Sequence, residues 1–180
     1  MLYCFLAQGF EEVEAIAPID MLRRAKLDVK TVGVGAKTIT GSHGIPFVCD
    51  LTDGEIALDG ALDGVILPGG MPGTLNLEKS ETVQAALDYC NLNGKLICAI
   101  CAAPSVLGHK GLLQNKEATA FPGFEADLLG AVLSDKYVVT DGNVITARGA
   151  GVALDFGFAI IAALRDKPTA DKIKAAIQCP

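Results

Sequence analysis

A chain of 180 residues, 51% apolar and 20% charged, can bury one sizeable core, and residues 1–180 are expected to form a single domain. Its net charge of −6, with no basic run longer than Arg23-Arg24, argues against a nucleic-acid surface. The longest apolar stretch, around Phe156–Leu164, is shorter than the roughly 20 residues that span a bilayer, and the apolar start meets Glu11, Glu12 and Glu14 too soon for a secretion signal, so a cytoplasmic protein without membrane contact is expected.

In chain order, Leu2–Leu6 is a continuous apolar run, as in a parallel strand covered on both faces. Gln8-Gly9-Phe10 makes a turn, and Glu11–Ala25 has helical spacing with acidic residues in its first turn, where the helix dipole favours them. Pro18 removes one backbone donor and is expected to kink that helix. Asp28–Val34 reads as a strand, and Thr38–Cys49, with Gly41, Gly44 and Pro46, as a short hairpin at one edge. Gly64–Leu67 is another buried strand, stopped by Pro68-Gly69-Gly70. A helix over 81–92 ends at Asn93-Gly94.

Lys95–Ile100 is the next strand. Cys101-Ala102-Ala103-Pro104 then leads into a helix, with Pro104 suited to its first turn. Tyr137–Thr140 and Val144–Ala147 flank the hairpin signal Asp141-Gly142-Asn143. Arg148-Gly149-Ala150-Gly151 opens a helix through Leu164, and Thr169–Ile177 can form a last one. The alternation predicts an α/β fold, a mostly parallel sheet with helices on both faces, in which sites form at the carboxyl ends of strands. Gln8–Glu14, Pro68–Gly73 and Ile100–Pro104 are expected to converge there.

Cys101 is the sharpest chemical candidate. A thiol at a tight strand-to-helix turn meets backbone N–H groups and a helix dipole, which favour the thiolate and are expected to lower its pKa. The geometry is that of a nucleophile elbow without the flanking glycines of G-x-S-x-G, and an inert buried thiol is the plain alternative. Cys98 would complete a C-x-x-C, but three residues of strand at ~3.3 Å each separate the two Cα atoms by more than the ~7 Å a disulfide tolerates. The six Cys show neither a disulfide framework nor zinc spacing, so free thiols are expected, with no metal or other cofactor.

Gly69-Gly70 offers bare N–H donors for an oxyanion, or merely a tight turn. Glu11 and Glu14 share a helix face directed at the sheet's carboxyl edge. A carboxyl group beside a thiolate is pushed toward its neutral form and can donate to sulfur. Glu12 reads as dipole stabilisation and solubility. Of the two His, His109 is expected to cap the helix after Cys101, and His43 to be a solvated turn residue.

Together, Gly9-Phe10-Glu11-Glu12-Val13-Glu14-Ala15, Leu67-Pro68-Gly69-Gly70, Ala99-Ile100-Cys101-Ala102-Ala103-Pro104 and Arg148-Gly149-Ala150-Gly151 resemble the ThiJ/PfpI superfamily, in the branch of the parkinsonism-associated deglycase. The resemblance covers essentially the whole chain. It implies a flavodoxin-like three-layer sandwich and a homodimer. Cys101 would be the reactive, oxidation-prone cysteine and Glu14 the protonated carboxyl that bonds to it. Gly69, Gly70 and Ala102 would supply backbone donors, and Arg148 would contribute to the pocket or to a dimer contact near it.

Two departures from the family pattern matter. Phe121 stands where active members often carry His, leaving Asp20 at the position of that residue's acidic partner, and Ala102 stands where the protease-like branch has His. Peptidase activity is therefore not expected. The resemblance implies a cysteine-dependent deglycase or glyoxalase acting on methylglyoxal or its adducts on amines and thiols. Oxidation of Cys101 to a sulfinate in a redox sensor or stress-protective chaperone is the alternative. An older family label points to thiazole monophosphate synthesis, but no phosphate loop of the usual form is present.

Overall fold

A computed structural model describes residues 1–180. Its strands are β1 (Leu2–Leu6), β2 (Val29–Gly33), β3 (Thr38–Thr40), β4 (Pro46–Val48), β5 (Leu51–Thr52), β6 (Gly64–Leu67), β7 (Leu96–Ile100), β8 (Glu117–Ala118), β9 (Val132–Leu133), β10 (Val138–Asp141) and β11 (Val144–Ala147). Its helices are α1 (Glu12–Arg24), α2 (Gly73–Lys79), α3 (Glu81–Leu92), α4 (Pro104–His109), α5 (Ala153–Leu164) and α6 (Lys167–Ala176). A seven-stranded sheet runs β10-β11-β7-β6-β1-β2-β5, all parallel except the antiparallel edge strand β10. The fold is a flavodoxin-like three-layer α/β sandwich.

The alternation of side chains along each strand divides the core. In β1, Leu2, Cys4 and Leu6 join a cluster with α1, α5 and α6, while Tyr3 and Phe5 face the α2–α4 layer. In β7, Leu96, Cys98 and Ile100 take the first face, and Ile97 and Ala99 the second. Cys98 is thus a fully buried core thiol inside a strand, and all six Cys are free. The central strands read as unbroken apolar runs because both faces are covered.

Helix α1 continues through Pro18 and lies close against α5, where a Cβ on Gly157 would come within 3.1 Å of the Pro18 Cα. The last helix starts at Lys167 rather than Thr169, because the Asp166 carboxylate caps it by accepting the Thr169 N–H at 2.7 Å. The segment expected to open a helix at Arg148 first makes a 3-10 turn at Ala150–Val152 before α5 begins.

The ordering of the strands positions the site. From β1 the chain steps to β2 on one side, then returns to β6 and β7 on the other. The carboxyl ends of β1, β6 and β7 therefore flank the point where the winding reverses, the crevice where open α/β sheets bind ligands.

At their far ends, the elements on the second face meet in a charged staple. His109 Nδ1 lies 2.6 Å from Glu78 at the end of α2, and its Nε2 lies 3.3 Å from Asp127 in the turn that follows β8. The residue expected to cap α4 thus ties it to two other segments. The hydrogen bond to Glu78 leads in raising the His109 pKa. A raised folded-state pKa stabilises the fold below the unfolded His value and loses that contribution as pH rises through the folded one. Thermal melts of wild type and His109→Gln should accordingly differ most below the unfolded imidazole value and converge as pH rises through the raised folded one. A constant gap across that range would show that the staple does not depend on charge.

Candidate functional site

Cys101 directly follows β7 and has φ +66°, the left-handed region that an L side chain enters only when its surroundings enforce it. Two backbone bonds do so. The Cys101 N–H donates to the Ala147 carbonyl at 2.8 Å, and the Cys101 carbonyl accepts the Phe121 N–H at 2.8 Å. The turn Cys101–Ala103 leads into α4 with Pro104 in its first turn. The thiol is partly exposed and packs against the core of the first face.

Glu14, by contrast, is 1% exposed, in the first turn of α1. Its carboxyl accepts the Gly69 N–H at 3.0 Å on Oε2 and stands beside the Cys101 thiol and the Ala150 N–H, both of which act on its charge. Gly69 must be glycine for this contact to exist, since a Cβ there would come within 2.7 Å of both Cys101 Cβ and Glu14 Oε2. Gly70, at φ +89°, brings its backbone against Glu11. The N–H groups of Ala102 and Gly70 lie near enough to the sulfur to favour its thiolate. Of the three expected backbone donors, two therefore serve sulfur, while Gly69 holds the carboxyl.

Glu11 enters as the cap of α1. Its Oε2 accepts the Glu14 N–H at 2.8 Å, and its own N–H donates to the Gly69 carbonyl at 2.9 Å. Glu12 corrects the sequence reading. It is 4% exposed rather than a solubilising group, and it anchors the β3–β4 hairpin through the His43 N–H at 2.8 Å, the His43 ring at 2.9 Å and the Ser42 hydroxyl at 3.4 Å. Donor atoms of Glu11, Glu12 and His43 lie within 4.8 Å of one another, but the Glu12 carboxylate is already committed to the hairpin.

The electrostatics depart from the expected lowering of the thiol pKa. Burial pushes Glu14 up to about 7, and the Glu11 charge adds to the shift, against the hydrogen bonds from Cys101, Gly69 and Ala150. Burial, then the charge and hydrogen bond of Glu14, pushes Cys101 up to about 12, against the N–H groups of Ala102 and Gly70. Helix α4 has six residues and begins three residues beyond Cys101, so its dipole is too short and too distant to prevail. The two acids behave as one pair, and the first to ionise hinders the second. When Glu14 keeps its proton the repulsion at sulfur vanishes, leaving burial opposed by the two N–H groups.

Arg148 ends the strand beside β7, and its guanidinium carbon lies 5.6 Å from the Tyr137 ring centroid. No hydrogen bond joins Arg148, His43 or His109 to Cys101 or Glu14. Asp20 spends its carboxylate on Arg24 at 2.9 Å, away from Phe121. The sequence did not single out the backbone of Ala150, because a peptide donor leaves no mark in residue type.

Comparison with known proteins agrees with this architecture. The DJ-1/PfpI family model matches residues 2–163. Protein dj-1beta of Drosophila melanogaster is 36% identical over 171 residues, covering 93% of this chain and 91% of that protein. Deglycase PH1704 of Pyrococcus horikoshii is 32% identical over 145 residues, covering 79% and 86%. Among solved structures, oxidized Toxoplasma gondii DJ-1 has a TM-score of 0.94 at 31% identity, covering 98% of this chain and 97% of that one.

The crowding at Gly69 and the buried acid can each be tested by stability. Gly69→Ala should cost about 1–3 kcal/mol in denaturant unfolding, while Gly60→Ala, whose Cβ would meet nothing within 4 Å, should be near neutral. A carboxyl whose pKa rises from 4.5 to about 7 on folding stabilises the fold at low pH and loses that contribution as pH climbs through 7. Glu14→Gln should therefore gain stability relative to wild type from about pH 5 to about pH 9, by up to about 3 kcal/mol at ~1.4 kcal/mol per pKa unit. A pH-independent difference would show that Glu14 ionises as an ordinary carboxyl.

Proposed function

We propose that this chain, which belongs to the DJ-1/PfpI family, uses the Glu14–Cys101 pair to add water across small reactive carbonyls, 2-oxoaldehydes and their adducts on amines or thiols, giving 2-hydroxy acids. The observation that carries the reading is a carboxyl 1% exposed and packed beside an elbow thiol, where burial raises its pKa to about 7. A group with a pKa near the working pH can both take and return a proton. A relative named a deglycase supports the same chemistry.

In this mechanism the sulfur bonds to the aldehyde carbon, and the thiol proton passes through Glu14 to the aldehyde oxygen, forming a hemithioacetal. Glu14 removes the remaining hydrogen of that carbon as a proton. An enediol forms, and a proton returned to the adjacent carbon gives a thioester. Water attacks the thioester, its hydroxyl stays on carbon, and its proton restores the thiol. The sum is one carbonyl compound plus one water, with no external oxidant or reductant. The N–H groups of Gly70 and Ala102, which favour negative charge on the sulfur, would also favour it on an adduct formed there.

A second reading draws on the same donors, and on a relative whose structure is described as oxidized. Two equivalents of peroxide would convert the Cys101 thiol to a sulfinic acid with release of two waters, and Gly70, Ala102 and Glu14 would hold its oxygens. Either route gives a stress-protective protein. No helix is long and apolar enough to cross a membrane. For the homodimer, the face formed by α1 and the β3–β4 hairpin is our proposed contact, because it exposes Val13, Ile16, Ile45 and Val48.

Steady-state methylglyoxal consumption should fall to background in Cys101→Ser and by about 100-fold or more in Glu14→Gln. Turnover retained in Cys101→Ser would defeat the enzymatic reading. After mild peroxide, intact mass should gain two oxygens in wild type and none in Cys101→Ser, and oxidation persisting in the variant would defeat the sensor.

A further inference from the structure

Next to the Glu14–Cys101 pair lies a groove of about 670 Å³, walled by Phe121, Pro122, Tyr137 and Val152, with Arg148 as its only charged lining residue. Pockets of about 300–1,000 Å³ hold drug-sized ligands, so this one is oversized for a three-carbon carbonyl. It abuts the reactive pair through backbone. The Phe121 N–H donates to the Cys101 carbonyl, and Gly149 and Ala150, which line the groove, stand against the Glu14 carboxyl.

Arg148 is incompletely used by the protein. Its Nε is buried and has no hydrogen-bond partner. Its one ion-pair partner, Asp135, lies 3.8 Å away and stands fully in solvent. Glu125 also feels the Arg148 charge, but its carboxylate accepts the Gly123 N–H at 2.6 Å. The guanidinium carbon lies 5.6 Å from the centroid of the Tyr137 ring, within reach of a cation–π contact. A planar guanidinium with an unpartnered Nε, beside apolar walls, matches a carboxylate on an apolar body.

We infer that this groove is a carboxylate-recognition subsite with Arg148 as its anchor, and that substrates of the Cys101 site are carboxylate-bearing 2-oxoaldehydes larger than methylglyoxal. The substrate class rests on the carbonyl chemistry proposed above, whereas the recognition subsite stands without it. The carboxylate is bound and not transformed, so the reaction keeps the balance already given.

Two measurements on the full chain separate these parts. Titration calorimetry compares 4-phenylbutyrate with its uncharged amide, neither of which reacts with a thiol, in wild type, Arg148→Gln and Arg148→Lys. Wild type should bind the acid at least about tenfold more tightly than the amide, as expected of a charge-assisted pair. Arg148→Gln should lose that preference and Arg148→Lys keep part of it. A merely structural Arg148 would lower stability in Arg148→Gln with no preference in wild type to lose. The kcat/KM ratio of 4,5-dioxopentanoate over methylglyoxal should fall at least tenfold in Arg148→Gln, through KM.

Equal binding of acid and amide by wild type, which needs no variant to fold, overturns the subsite, as does a preference that survives in Arg148→Gln. A clear preference for the acid without turnover of either carbonyl upholds the subsite and overturns the enzymatic reading and its substrate class.

Discussion

Two acids packed against each other, one of them sealed from water, can carry only one negative charge between them at moderate pH. That constraint organises the reactive end of the molecule. The Glu14 carboxyl, once buried, needs donors; it takes the Gly69 N–H at 3.0 Å, and the Ala150 N–H and the thiol stand beside it. Each donor imposes a condition on a different element. The end of β6 must carry a residue without Cβ, α1 must begin close enough to offer Glu14, and the segment after β11 must bring its backbone across the carboxyl. The Glu11 cap serves the last but one condition, since it fixes where α1 starts and places a second negative charge near the first. Local capping and site electrostatics are thus one arrangement.

The sheet makes these meetings possible. Adjacent parallel strands lie about 4.8 Å apart, so the carboxyl ends of β1, β6 and β7 deliver Phe10–Glu14, Pro68–Gly70 and Cys101 to one crevice without long loops. Residue parity along β7 sends Cys98 and Ile100 into the α1–α5 layer. The positive φ at Cys101 then breaks the strand and turns the thiol along the sheet edge toward Glu14. The ladder bond from Cys101 to Ala147 and the carbonyl bond to Phe121 offset that strain. They also couple the elbow to the groove wall, so the elbow thiol and the Arg148 pocket share backbone.

Legibility in the sequence followed the range of the interaction. The central strands could be read because burial on both faces writes itself into consecutive residues, and the convergence of three turns followed from topology alone. Glu14 could be placed beside Cys101 from its position after β1 and from the family resemblance. Glu12 could not be read, because its partners on the hairpin lie about thirty residues away and carry no local pattern. Helix α2 is hard to see because its seven residues open with Gly73, directly after Pro72, which looks like continued turn. The direction of the Cys101 shift runs against its sequence signal for a physical reason. N–H groups and a dipole at a helix start favour the thiolate, but burial and a neighbouring carboxyl outweigh them at this distance from a six-residue helix.

The two histidines complete the account of proton transfer by where they are bound. His43 is held by Glu12, and His109 by Glu78 and Asp127, so neither imidazole is free to serve the sulfur. The Phe121 ring packs toward Gly149 and carries no titratable group. Every proton that leaves or returns to the thiol must then pass through Glu14 or through water entering past the partly exposed sulfur. A single carrier tuned near neutrality can shuttle protons, but it cannot be acid and base at once. Chemistry at this site is therefore expected to proceed through sequential proton steps, with the carboxyl alternating between its two forms.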